Sequence, residues 1–228
     1  MTTPLEQADI VLEQWATRTA RIDQNLVDLA SDPVYNVLQK APLEGITRQQ
    51  VAPALAQMED LFLRRRLLED VIDRARAIRS TVTTFRHGRR LADVDRLLRE
   101  PSIALSTPPP AVTGRHLLDS EEPEQRLTPA QILAAMIEAF DDVRAVVAAV
   151  GRQWDELTPR VDAAEAELQE LDASARTGGA AALARRDEVA RAITRARHLL
   201  AADPLGEGPA AVAVLPGNLA ALRRYLQP

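Results

Sequence analysis

The sequence predicts an all-α protein of elongated helical hairpins, packed as a coiled-coil-like bundle with two related helical units. Ala, Leu, Arg, Asp and Glu dominate the chain, whereas aromatic residues make up only 3% of it. Those common residues favour helices over strands. Apolar residues also recur at alternating spacings of three and four over long stretches. This heptad pattern is typical of helices in coiled-coil contact.

The first predicted unit covers residues 1–101. Thr3 and Pro4 have the residue types of an N-cap followed by a first helical position. Predicted helices cover about residues 4–30, 31–39, 47–85 and 89–99. The apolar stripe of the first comprises Val11, Trp15, Ile22 and Leu29. That of the third comprises Val51, Leu55, Met58, Phe62, Leu68, Ile72, Ala75, Ile78, Val82 and Phe85.

Residues 102–127 are predicted to link the units, because they contain three consecutive prolines followed by an acidic patch. Consecutive prolines favour an extended polyproline conformation, which suits a spacer. The alternatives are a ligand for a proline-binding module and a phosphorylation site at Thr107.

The second predicted unit covers residues 128–228, and Thr128 with Pro129 predicts the start of its first helix. The heptad positions of that helix are Leu133, Met136, Phe140, Val143, Val147, Val150, Trp154, Leu157, Val161, Ala164, Leu168, Leu171 and Ala175. Pro159 should kink or split the helix, and the unchanged heptad phase favours a kink. Further helices are predicted at about residues 180–202 and 218–227, separated by a Gly- and Pro-rich break.

Three motifs recur in the same order in both units. QWATRTARID at 14–23 matches QWDELTPRVD at 153–162, and these segments hold both tryptophans. IDRAR at 72–76 matches ITRAR at 193–197, and LADVDRLL at 91–98 matches LAALRRYL at 219–226. The order predicts an internal duplication. Chance matching of Ala, Leu and Arg on heptads is the alternative.

No pattern in the chain predicts catalysis. There is no cysteine, none of the three histidines stands in a Glu-x-x-His pattern, and no phosphate-binding or nucleophile motif occurs. We therefore expect no enzyme, no cofactor and no metal site. The alternative is an active site assembled from scattered polar groups. Without a signal peptide or an apolar stretch long enough to span a bilayer, we expect a soluble cytoplasmic protein.

Arginines are concentrated in one stretch, although the net charge of −5 argues against a generic nucleic-acid coat. Residues 74–92 hold six arginines and no acidic residue. The favoured interpretation is that an acidic first helix pairs with a basic second helix in each hairpin. The alternative is a basic face that binds phosphates. Arg86, Arg89 and Arg90 lack an obvious acidic partner nearby.

Both tryptophans occupy heptad positions, which favours burial in the core over an exposed recognition anchor. Arg18 and Asn25 fall on the stripe continued from Trp15 and would make it more polar. Polar stripe positions commonly specify register or partner. The candidate partner-binding residues are Trp15, Arg18, Asn25, Arg86, Arg89 and Arg90.

The segments ARRDEVARAITRARHLL (184–200) and LPGNLAALRRYL (215–226) resemble the C-terminal region of uncharacterised helical proteins of high-GC actinobacteria. Some of those proteins are encoded near serine/threonine-kinase signalling components. The resemblance covers about 45 residues. It departs after Leu200, where a longer stretch with aromatic residues is expected. The resemblance implies an accessory role in signalling. It does not identify any functional residue.

These features together predict a non-enzymatic scaffold or adaptor for protein–protein interaction. Its long apolar stripes suggest surfaces completed by another chain, which would be a protein partner or a second copy in a homodimer. The alternative function is binding of nucleic acid or an anionic surface through Arg74–Arg90.

Overall fold

The computed structural model describes residues 3–82, 88–104 and 126–227, and it confirms the all-α fold class with packed helices. The helices are α1 (Pro4–Ala30), α2 (Pro33–Leu38), α3 (Gly45–Ser80), α4 (Gly88–Arg99), α5 (Pro129–Thr177), α6 (Ala180–Ala202), α7 (Glu207–Ala213) and α8 (Leu215–Leu226). Two short antiparallel strands, β1 (Ile103–Ala104) and β2 (Arg126–Leu127), pair Ile103 with Leu127. Most of the predicted linker lies outside the described residues.

Both Thr-Pro pairs begin helices, and each threonine forms a capping box. The Glu6 N–H donates to the Thr3 hydroxyl at 3.2 Å, and the Thr3 N–H donates to the Glu6 carboxylate at 2.8 Å. Thr128 and Gln131 exchange the same two bonds at 3.1 and 2.9 Å. Each box satisfies N–H groups that a helix terminus otherwise leaves unpaired. The predicted helix starts are therefore confirmed.

The chain forms two compact units that combine separate segments. One contains Met1–Asp28 with Gln57–Asp141, and the other contains Leu29–Ala56 with Asp142–Pro228. The division into residues 1–101 and 128–228 was drawn from repeated motifs and not from contacts. It stays a prediction about the two related segments.

The first unit pairs α1 with α3 through apolar stripes that include two arginines. The stripe on α3 comprises Met58, Leu61, Arg65, Leu68, Ile72, Ala75 and Arg79, and Val82 is buried just after the helix. Arg65 forms an ion pair with Asp23 of α1, and Arg79 forms one with Asp9 at 2.6 Å. The hydrogen bond from Arg65 to Asp23 is the main reason that the pKa of Arg65 is raised. The ion pairing that was expected between an acidic helix and a basic helix therefore occurs at Arg65 and Arg79.

Two positions predicted for the first unit's stripes, Phe62 and Arg18, are exposed. Phe62 is 37% exposed, whereas its neighbour Leu61 is 1% exposed. Heptad spacing from Met58 passes through Leu61 to Arg65. Because Arg65 is charged, a pattern of apolar residues does not include this position. On α1, Arg18 is exposed and Asn25 is half-buried. Leu12, Trp15 and Leu26 are buried on this helix, and Thr19 and Ile22 are half-buried.

The heptad stripe of α5 is confirmed, because every predicted position from Leu133 to Ala175 is buried or half-buried. The helix is continuous through Pro159, whose exposed ring does not split it. In the second unit, α5 packs its stripe against α6, α7 and α8. The shared core comprises Leu157, Val161, Ala164, Leu168, Val189, Ile193, Ala196, Leu200, Val212, Leu215, Leu219 and Leu222.

Ion pairs also join the acidic face of α5 to its neighbours in the second unit. Arg197 of α6 contacts Asp162 at 2.9 Å and Glu165 at 2.6 Å. The remaining pairs of this kind are Arg186 with Asp172 and Arg223 with Glu167. Among the described residues, no helix combines the length and apolar character that crossing a membrane requires.

Candidate functional site

An apolar cleft of about 480 Å³ opens beside Trp154 in the second unit. We call it the Trp154 cleft. Its lining comprises Val37, Ala41, Pro42, Trp154, Thr158, Val161, Arg197, His198, Leu200, Ala201 and Ala202. Val161, Leu200 and Ala202 are buried, Trp154 is half-buried, and Val37 is 49% exposed. The cleft therefore offers apolar surface to the solvent.

A hydrogen bond fixes the Trp154 indole in this cleft. Its Nε1–H donates to the carbonyl oxygen of Leu200 on α6 at 2.9 Å. A buried indole N–H needs such a partner, and the rest of the ring is then available for apolar contact. The ring is therefore held in place before anything binds to it.

The opposite wall of the cleft is provided by α2 and the residues that follow it. Asp32 caps this short helix, because its Oδ1 accepts the N–H groups of Val34 and Tyr35 at 2.7 and 3.3 Å. Tyr35 and Leu38 are buried beneath the helix, which leaves Val37 on its outer face. The exposed valine thus belongs to a helix that is anchored from below.

Charge at the rim of the cleft is largely compensated. Arg197 lies between Asp162 and Glu165, at 2.9 and 2.6 Å from their carboxylates. His198 is the other titratable residue in the lining, and its side chain is exposed. Within the described part of the chain, no cluster of three or more potential ligands could hold a metal ion. The cleft is therefore suited to binding an apolar side chain by contact.

Hydrogen bonds to Asp203 connect the two walls of the cleft at one end. Asp203 is 4% exposed, and its carboxylate accepts the backbone N–H of Thr47 at 2.8 Å and that of Glu207 at 3.1 Å. The Thr47 hydroxyl accepts the N–H of Leu205 at 2.9 Å. Nearby, the Glu44 N–H donates to the carbonyl of Ala202 at 2.9 Å. We call this set of bonds the Asp203 clasp.

The clasp depends on an ionised carboxylate. Burial raises the pKa of Asp203, but hydrogen bonds from the backbone and hydroxyl of Thr47, and from the backbones of Glu207 and Ile46, outweigh it. The pKa of Asp203 therefore lies below its ordinary value. The negative charge also faces the N-terminal turns of α3 and α7, where the helix dipole favours an anion.

Two glycines make room for this carboxylate. A Cβ atom at Gly45 or Gly206 would collide with the Asp203 side chain. Gly45 also has a φ of 53°, a conformation that residues with a side chain rarely adopt. The clasp therefore fixes the position of the segment from α2 to α3, which carries Ala41 and Pro42 of the cleft.

The residues predicted as partner-binding from the sequence are distributed differently. Trp15 is buried at 7% exposure, and the Arg18 guanidinium lies 5.8 Å from the centre of its ring. Asn25 is half-buried elsewhere on α1. Arg89 and Arg90 are exposed on α4, where Arg90 donates to the Thr81 hydroxyl at 2.9 Å. Arg86 lies outside the described residues. Among the predicted residues that the structure describes, Trp15 and Arg18 are the two that contact each other.

Sequence reasoning missed the cleft because its walls are far apart in the chain. The sequence placed Trp154 on a heptad stripe, but it gave no connection between Trp154 and the helix predicted at 31–39. The Asp203 clasp was also missed, since Asp203 and Thr47 are separated by 156 positions. The available signal was the crowding of glycines next to Asp203 and the lone glycine before Thr47. Compared with known proteins, the chain matches no family model, no curated protein and no solved structure.

Proposed function

We propose that the protein is a non-enzymatic adaptor or scaffold that binds a partner protein through the Trp154 cleft. The observation that carries this proposal is an open apolar cleft whose tryptophan is already held by a hydrogen bond to Leu200. Tryptophan is among the residues that contribute most to protein–protein binding. A preformed cleft also reduces the conformational entropy that binding would cost.

The chemistry of the cleft defines the segment that it would accept. Its exposed surface is mainly apolar, and its arginine is already paired with two carboxylates. Full burial of one Leu, Ile or Phe side chain stabilises by about 1.5–3 kcal/mol. We therefore expect the partner to present one or two such side chains, with contacts around them that exclude water.

The test is a pull-down of the full chain from its source lysate after nuclease treatment, read by mass spectrometry. Three proteins are compared: the unchanged chain, Ala201→Arg and Ala220→Arg. Ala201 is exposed and lines the cleft, whereas Ala220 is exposed on α8 and does not line it. The two variants add the same side chain to a helix surface, and circular dichroism verifies that both are folded.

The proposal is supported when a protein survives nuclease treatment, is retained by Ala220→Arg and is lost from Ala201→Arg. Once that partner is purified, a Trp15→Phe chain makes Trp154 the sole indole, and binding should shift its emission. Retention of every partner by Ala201→Arg would contradict binding at the cleft. An accessory role in signalling, which the resemblance implied, would depend on the identity of the partner.

The alternative function uses the basic stretch Arg74–Arg90. Its specific support is the exposure of Arg89 and Arg90 on α4. Against it, Arg76 and Arg79 already form ion pairs with Asp73 and Asp9. Loss of all co-purifying material after nuclease, together with binding that falls steeply with salt, would favour this alternative. Light scattering on the purified chain tests the remaining possibility of a homodimer.

A further inference from the structure

A second groove lies between α6 and α7 in the same unit, with a volume of about 500 Å³. We call it the α6–α7 groove. Its lining comprises Arg191, Ala192, Arg195, Leu199, Glu207, Ala210, Ala211 and Val214. Val214 is 55% exposed, and three of the lining residues are alanines whose small side chains leave the groove open. Its floor is therefore apolar and accessible to solvent.

The groove and the Trp154 cleft use different faces of α6. Val189, Ile193, Ala196 and Leu200 form the buried stripe of the helix. At about 100° per residue, Arg195 and Leu199 lie to one side of that stripe and Arg191 lies nearly opposite it, whereas Arg197 and Ala201 lie to the other side. One helix thus contributes to two separate surfaces.

The arginines on the two sides differ in their pairing. Arg186 and Arg197 contact carboxylates of α5. Among the residues that the structure describes, neither Arg191 nor Arg195 has a carboxylate within ion-pair distance, and both are exposed. They are one helical turn apart along the same wall of the groove. This wall therefore carries two arginines that form no ion pair with a described residue, beside an apolar floor.

We propose that the α6–α7 groove binds an acidic amphipathic helix of a partner protein, independently of the Trp154 cleft. Apolar side chains of the helix, spaced at i, i+3 and i+7, contact Leu199 and Val214. Carboxylates along one flank face Arg191 and Arg195, and Glu207 on the opposite lip disfavours an acidic second flank. The groove thereby fixes the orientation of the bound helix.

The apolar floor decides between a protein and other anionic partners. A nucleic-acid backbone would satisfy the arginines but would leave Leu199 and Val214 without an apolar partner. An amphipathic helix satisfies both kinds of surface at once. The distance from Arg191 to Leu199 along α6 is about 12 Å, at 1.5 Å per residue. This length matches roughly two turns of a bound helix.

The test selects peptides on the immobilised full chain from a display library. Leu is fixed at i, i+3 and i+7, and the flanking positions vary among Asp, Glu, Lys, Arg, Ser and Ala. The selected peptides are synthesised, and their affinities are measured by fluorescence anisotropy at low and high salt. The variants are Arg191→Glu/Arg195→Glu and Val214→Arg for the groove, with Ala201→Arg as the matched variant in the cleft.

We expect selected peptides to carry Asp or Glu on one flank, with affinity that falls as salt rises. The double arginine variant should bind them at least about tenfold more weakly and should select Lys or Arg instead. Val214→Arg should also weaken binding, whereas Ala201→Arg should not. All four substituted positions are exposed, so the fold should persist, and circular dichroism checks this.

Four outcomes would overturn the proposal. One is a selection without acidic enrichment or without any binder. Another is a set of peptides whose affinity is unchanged in Arg191→Glu/Arg195→Glu. The third is displacement of a bound peptide by an oligonucleotide that itself binds through the same arginines. If Ala201→Arg were the one variant to lose peptide binding, the peptides would bind in the Trp154 cleft. The proposal that the α6–α7 groove binds them would then also be overturned.

Discussion

Trp15 and Trp154 stand at the same position of matching decapeptides, yet their surroundings differ. Trp15 is 7% exposed and has the Arg18 guanidinium over its ring. Trp154 is half-buried, donates to Leu200 and lines an open cleft. Three residues after each tryptophan, the first segment has Arg18 and the second has Leu157, which is buried in the core. A long cation therefore lies over one ring, whereas the matching position beside the other ring holds a leucine that is buried in the core.

The comparison also bears on the proposed duplication. Asp23 and Asp162 match in the repeat, and each pairs with an arginine of a following helix. The arginines do not match, however, because Arg197 corresponds to Arg76, whose carboxylate partner is Asp73. The acidic residue occupies the same position in both segments, while the helix that it contacts has a different register. Duplication stays a prediction, and the matched motifs do not specify matched contacts.

The largest expected effect is the difference between truncating the two tryptophans. Trp15→Ala should lower the free energy of unfolding by about 3–5 kcal/mol, as for other large-to-small core substitutions. Trp154→Ala should cost roughly half as much, since its side chain is already partly solvated. Chemical denaturation followed by circular dichroism measures both values. Equal losses would mean that the two sites do not differ as their exposure indicates.

Asp203 tests whether the open site depends on the clasp. Asp203→Asn should cost about 2–3 kcal/mol, because an amide cannot accept all the N–H groups that the carboxylate accepts. Acrylamide quenching of Trp154, measured in a Trp15→Phe background, should increase as the cleft wall loosens. Asp155→Asn is the control, since Asp155 is exposed on α5 close to Trp154. It should change neither the stability nor the quenching by a comparable amount.

The same variant has a defined pH dependence. A carboxylate whose folded pKa is depressed contributes stability that is present above its unfolded value, about 3.9, and is lost as the pH falls through the lower folded value. The stability gap between the unchanged chain and Asp203→Asn should therefore be constant near neutral pH and should narrow below about pH 4. A gap that widens on acidification would contradict an ionised clasp.

Glycine substitutions distinguish the effect of steric contact with Asp203 from the effect of backbone strain in the clasp. Gly45→Ala should cost about 1–2 kcal/mol from its left-handed conformation alone, with a further loss from contact with Asp203. Gly179→Ala is the matched control, because Gly179 has a φ of 85° but nothing lies near its added Cβ. Gly217→Ala has open space in α8 and should be neutral or stabilising. In thermal melts the loss of stability should be largest for Gly45→Ala, smaller for Gly179→Ala and smallest for Gly217→Ala. Equal losses for Gly45→Ala and Gly179→Ala would contradict a steric contribution from Asp203.

The smallest expected effect concerns the side chain over Trp15. Arg18→Ala should destabilise by about 0.5–1 kcal/mol, the usual size of an exposed cation–π contact. In a Trp154→Phe background it should also increase quenching of Trp15 towards that of Trp154. Arg21→Ala is the control, as Arg21 is likewise exposed on α1. Unchanged quenching in Arg18→Ala would show that the ring is covered by its core neighbours alone.

Local sequence signals were sufficient for most of the fold. The heptads of α5 and the Thr-Pro-x-Glu/Gln caps depend on neighbouring residues, so the sequence alone could reveal them. The stripe of α3 was misplaced at Phe62, since Arg65 and Arg79 are polar residues in an apolar pattern. The cleft and the clasp require residues such as Thr47 and Asp203 to meet across the chain. No periodicity encodes that meeting, and it was not predicted.

The two ion pairs between α1 and α3 constrain how these helices can slide past each other. Asp9 and Asp23 are two heptads apart, as are Arg65 and Arg79. A slip of one heptad would keep apolar residues facing apolar residues, but Asp9 and Asp23 would then face aliphatic side chains such as Ile72 and Met58. The apolar stripe alone allows several alignments of nearly equal packing. The spacing of the charges selects one of them, so exchanging Arg65 for leucine should preserve helix content while permitting more than one alignment.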